Sequence, residues 1–136
     1  MKSIIRNILA FIAGLIALVV VKMIVTKIGN LVIPPPAGID LSTVEGWNAA
    51  MPLFEVKHWV TPFLEHSIGS FFGGSVVALL AATQKTTLAI AIGVLHLLGG
   101  IIAAALLPVP VWFSALDLIV AYVPMALLGG MIGARK

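Results

Sequence analysis

The chain has 136 residues, 61% of them hydrophobic and 10% charged, with a net charge of +3 and a mean hydropathy of +1.19. A soluble domain carries about 25% charged residues, so too few polar side chains are present to cover a water-facing surface, and the bilayer is the fitting solvent. Cysteine is absent, which excludes disulfides, thiol catalysis and thiolate metal sites.

The first apolar run covers residues 7–28, enough for the roughly 20 residues that cross about 30 Å of hydrocarbon. Lys2 and Arg6 precede it, as in a signal peptide. No small-x-small cleavage pattern follows, and Lys22 and Lys27 stand where cleavage would fall, so the run reads as a retained helix. A loop, residues 29–61, comes next. Pro34-Pro35-Pro36 favours extended backbone. Ser42-Thr43-Val44-Glu45 resembles a capping box and predicts a short helix from Thr43 to Met51, stopped by Pro52. With Trp47, Leu53 and Phe54 it suits a membrane surface, as a connector or as a lid.

Three further spans are expected at 62–82, 88–107 and 114–133. They lack the alternation of barrel strands. Lysine and arginine in short loops set the direction of a membrane chain. Lys2 and Arg6, Lys85 in the turn after the second span, and Arg135 with Lys136 fall on one side, which is therefore cytoplasmic. The 108–113 loop is uncharged, and the 29–61 loop carries Asp40, Glu45 and Glu55 against Lys57, so both face outward. Trp59 and Trp112 then sit as interfacial anchors. The expectation is one all-α integral membrane domain. It is an antiparallel four-helix transmembrane bundle with a short interfacial helix in the outer 1–2 loop, in the cell membrane, with both termini cytoplasmic.

Ionisable residues within spans are expensive and mark function by default. Thr61 and Pro62 open the second span as cap and first-turn proline, which puts Glu65 in the first turn. Ser114 and Asp117 repeat capping-box spacing on the fourth span. Both acids are thus either capping groups or, with His66 and Lys22, the lining of an outward-facing polar pocket. His66 follows Glu65 directly, so the two point about 100° apart and cannot both face the same point. Lys22 either snorkels to the headgroups or pairs with Glu65 or Asp117. His58, His66 and the acids show no metal-binding spacing, and no metal or other cofactor is expected.

His96 falls near the midplane of the third span, too deep to snorkel. Ala89, Gly93, Gly100 and Ala103 share its face, and Gly99 is adjacent. The second span offers Gly69, Ser70, Gly73 and Gly74 at similar depth. A close contact between spans two and three, with His96 bonded to a serine such as Ser70, is the expectation. His96 is then a packing residue or a proton relay. Gly129 and Gly130 imply tight packing of the fourth span, and Pro124 a kink.

No motif assigns a reaction, and no catalytic residue is named. A non-enzymatic oligomeric or accessory membrane subunit fits the small extramembrane mass. Its partners would be the lipid bilayer and further copies or a larger membrane complex, with no nucleic acid. A small transporter or channel using Glu65, His66 and Asp117 is the alternative. An intramembrane acid-base enzyme acting on a lipid or quinone is a third.

Overall fold

The computed structural model describes residues 1–135. Four helical segments are long and apolar enough to cross a membrane, and no strand occurs among the described residues. Helix α1 is Lys2–Val32 and α2 is Val44–Ala50. Two 3₁₀ turns, Met51–Leu53 and Val56–Trp59, lead into α3, Val60–Leu80. Then follow α4 (Lys85–Leu106), α5 (Val111–Val120) and α6 (Val123–Ala134).

The first helix outruns the expected 7–28. Nothing in its sequence breaks it before Pro34, and the residue before a proline is driven out of helical backbone. At 1.5 Å per residue its 31 residues span about 46 Å. The fourth apolar segment is two helices. Pro124 has no N–H to give and crowds the carbonyl one turn back, so α5 ends at Val120 and α6 restarts at Val123 with the proline in its first turn. Ala121 and Tyr122 form the break and are both buried.

Helix α3 is the axis of the bundle, packed on α1, α4 and α6, and α4 also packs on α6. Helix α1 meets the rest almost only through α3. Its buried residues are accordingly a single stripe at four-residue spacing, Ala10, Gly14 and Leu18. Ile8, Ile12, Ile16, Val20 and Ile24 lie bare on its other faces. Missing side chains bring the helices together. A Cβ on Gly14 would lie 2.9 Å from the Gly73 carbonyl oxygen, and one on Gly73 3.1 Å from Leu18 Cβ. A Cβ on Gly74 would run into the Ala126 carbonyl, and one on Gly129 into the Phe71 carbonyl, so α3 and α6 touch backbone to backbone. Gly130 is closed off in the same way by Ala89.

The third-span glycines correct an expectation. Gly93 and Gly100 abut Ala126 of α6 and Tyr122 of the break before it, not α3. Gly99 is exposed, and a Cβ added there would meet nothing within 4 Å among the described residues. Gly69 instead makes room for the Lys22 stem, whose Cγ would be 2.7 Å from an added Cβ.

The start of α1 is tied to the end of α3. Arg6 Nε donates to the Leu80 carbonyl (2.8 Å), one of the last-turn carbonyls that the helix leaves unpaired. Asn7 Oδ1 accepts from the backbone N–H groups of Ala82 and Thr83 (2.9 and 3.2 Å).

The 33–59 loop folds onto the opposite end. Ser42 does not cap α2. Its N–H and hydroxyl both donate to Asp40 Oδ1 (2.9 and 2.7 Å), and with that hydroxyl engaged Thr43 becomes the cap, accepting from Gly46 N at 3.0 Å. The same two bonds hold the Asp40 carboxyl below its usual range. The turn is therefore held while Asp40 is ionised and loosens as pH falls through that lowered range. The α-helix ends at Ala50, two residues before Pro52, and the proline sits inside the 3₁₀ turn that follows. Met51, Trp59 and Phe113 are buried together, with Trp47 and Phe54 against them. The Trp59 and Phe113 rings are 4.6 Å apart, which anchors the loop on the start of α5.

Candidate functional site

The acids are not caps. Helix α3 begins at Val60 with Trp59 as its cap, and Thr61 is buried against Gly29. Helix α5 begins at Val111, behind Pro110, so Ser114 is already inside the helix. Each helix starts earlier than its polar residues suggest: the 3₁₀ turn at Val56–Trp59 runs straight into α3, and α5 begins directly after Pro110. Glu65 and Asp117 are left more than a turn inside their helices, where they bond to side chains.

Four elements contribute. Lys22 and Thr26 are one turn apart on α1 and face α3. Thr26 Oγ1 donates to Glu65 Oε2. Lys22 Nζ lies 4.0 Å from Glu65 Oε1. Glu65 Oε1 is in turn 3.3 Å from His66 Nε2. The expected divergence of Glu65 and His66 thus fails. Their Cα–Cβ bonds do diverge, but an imidazole and a carboxylate are both long enough to swing back to each other. The far side of the same ring meets α5: His66 Nδ1 is 2.9 Å from Asp117 Oδ2 and 3.0 Å from Oδ1. Tyr122, in the α5–α6 break, donates to Asp117 Oδ2 at 3.0 Å and stacks on the His66 ring at 5.1 Å.

The result is one row, Lys22, Glu65, His66, Asp117, with cation and carboxylate alternating. Both ring nitrogens of His66 face carboxylate oxygens. A neutral ring would aim a lone pair at one of them, so the geometry suits the imidazolium, which donates from both sides. Two cations then balance two anions. That balance matters in a low-dielectric setting, where an uncompensated charge costs several kcal/mol.

Below this row lies a second, smaller group. His96 Nδ1 is 2.7 Å from Ser70 Oγ. Its ring stands edge-on to Tyr122 at 4.6 Å and to His66 at 5.7 Å. His96 Nε2 is buried without a hydrogen-bond partner. Beneath His96 the bundle closes on Val77, Ala89 and Ile92, all buried.

A cavity of about 270 Å³ opens directly against the row. Lys22, Glu65, His66, Asp117 and Tyr122 line its polar side. Trp47 and Met51 from the loop, with Trp59 and Phe113, line its apolar side. A shallower groove along α1, past Leu18, Val19, Met23 and Lys27, meets it at Lys22 and Glu65. Among the described residues, no group of three or more His, Cys, Asp or Glu is placed to hold a metal ion. His58 stands apart: its Nδ1 accepts from the Glu55 N–H at 2.8 Å and caps the 3₁₀ turn before α3.

Sequence reasoning overlooked Tyr122 and Thr26. Tyr122 had a signal, as the only tyrosine in the chain, two residues before the proline that breaks the fourth apolar segment. Thr26 had a weaker one, its spacing of one turn from Lys22. No family model, curated protein or solved structure matches the chain.

Proposed function

We propose that this chain is a four-span protein of the cell membrane, an antiparallel bundle with both termini cytoplasmic, and that it acts as a small transporter with an outward-facing binding cavity. The observation that carries the reading is the cavity itself, which joins Glu65, His66, Asp117 and Lys22 beneath the 33–59 loop. Ligand sites are concave, mostly apolar and supplied with a few convergent polar groups, as here. The broken fourth span supports a transport role in particular. Interrupted helices in membranes are tolerated where they line a cavity or a substrate path, and this break delivers Tyr122 to the site. The closed packing below His96 fits a cavity open to one side only, as alternating access requires.

An accessory or self-associating subunit without transport activity would draw on the bare apolar faces of α1 and α4. Lipid covers such faces equally well, whereas it does not account for a charge-lined cavity.

Uptake into vesicles tests the reading. Wild-type protein is reconstituted and offered radiolabelled single-ring solutes of three charge classes: benzyltrimethylammonium, benzyl alcohol and benzenesulfonate. At least one should accumulate faster than in protein-free vesicles, and Glu65→Gln should reduce that rate at least tenfold. Equal uptake with and without protein for all three classes would contradict a transport role.

A further inference from the structure

The row of charges also constrains what the cavity can hold, given the outward-facing binding site just proposed. We propose that the cavity takes a small monovalent organic cation bearing one apolar ring, and that binding releases the His66 proton to the outer solution. The groups facing His66 are Glu65 on its own helix, Lys22 from α1, His96 from α4, Asp117 from α5 and Tyr122 from the break. With His66 protonated, the row is neutral. Of its two positive charges, the one on the His66 ring lies between both carboxylates and lines the cavity, so it is the one that an incoming cation displaces.

Loss of that proton does not strand the carboxylates. Glu65 keeps Thr26 and Lys22, and Asp117 keeps the Tyr122 hydroxyl. With both as carboxylates, the row then carries one net negative charge. A cation in the cavity restores neutrality. A neutral solute would leave the excess in place, and an anion would double it. The opposite wall suits the same ligand. Trp47, Trp59 and Phe113 line the cavity with Tyr122, and aromatic faces attract cations, the more so when desolvated. The volume of about 270 Å³ sets the size at a single ring with a compact head. The exchange balances: one cation enters, one proton leaves His66 for solvent, and no bond to carbon is made or broken.

The test uses purified wild-type protein in mild detergent, weakly buffered near pH 7 with an indicator dye, titrated with benzyltrimethylammonium. Tryptophan fluorescence reports binding through Trp47 and Trp59. About one proton should be released per cation bound, and the affinity should rise by up to tenfold per pH unit as pH increases. Neopentylbenzene, its uncharged isostere, and benzenesulfonate should release none. Because the pH dependence is read on wild-type protein, it stands even where His66→Gln fails to fold. Where that variant folds, it should bind the cation without proton release. Cation binding that is independent of pH and releases no proton would overturn the exchange. So would equally tight binding of the uncharged isostere. Uptake of benzyl alcohol or benzenesulfonate without cation binding would sink this inference and leave the transporter standing. Proton-coupled cation binding without uptake of any solute would do the reverse.

Discussion

Asp117→Leu is expected to destabilise the protein by about 3–5 kcal/mol, the usual cost of removing one partner from a buried ion pair. Asp117 is 4% exposed and receives both His66 Nδ1 and the Tyr122 hydroxyl. Without it, His66 faces leucine on one side, the row carries an extra positive charge, and a buried phenol loses its acceptor. His66→Phe alone should be comparably harmful, because it sets Asp117 against an aromatic ring with only Tyr122 to bond it. The combination of the two is expected to be closer to wild type than either single change. It leaves the Lys22–Glu65 pair, which is neutral by itself, and removes both members of the other pair. Unfolding in mixed micelles, read as a double-mutant cycle, checks this. Additive losses would show that His66 and Asp117 do not interact.

The second large effect concerns the contact between α3 and α6. Gly74→Val or Gly129→Val is expected to cost about 3 kcal/mol or more, at the upper end for overpacking. In each case the added carbon meets a backbone carbonyl of the facing helix, Ala126 or Phe71, and backbone cannot swing aside as a side chain can. Gly99→Val is the matched control. It adds the same atoms to a glycine with open space around it and should change stability by no more than about 0.5 kcal/mol. Circular dichroism during detergent-driven unfolding separates the three. A loss at Gly99 as large as at Gly74 would mean that helix propensity, not packing, dominates.

The four long helices were legible because hydropathy over about 20 residues is a collective signal that no single residue can reverse. A kink in the fourth was legible from Pro124, but not the full break into two helices. Helix starts were not. Thr61 and Ser114 have the right chemistry for caps, but α3 runs on from the 3₁₀ turn at Val56–Trp59 and α5 begins right after Pro110, so both residues lie inside their helices. Ser42 lost its capping role to a local competitor, Asp40, two residues away. The partner of the glycine face on α4 was also hidden. Periodicity tells which residues share a face, but not which helix that face meets, and the break before α6 is what brings Tyr122 and Ala126 against Gly100 and Gly93. The charges of the site could be listed from the sequence together with their depth. Their order in a row could not, because it depends on how side chains bend. Glu65 and His66 diverge at Cβ and still meet at their tips.

The cavity is the centre of this account, and its access is the property to measure. The chain contains no cysteine, so single cysteines can be introduced without background. Ser114→Cys and Ala104→Cys place a thiol in the cavity wall, and Thr83→Cys places one at the other end of the bundle. In intact cells, a charged, membrane-impermeant maleimide should label positions 114 and 104 from outside. It should reach position 83 only after the membrane is opened. Labelling of 83 but not of 114 or 104 in intact cells, or labelling of the cavity positions only in denatured protein, would contradict an outward-facing cavity.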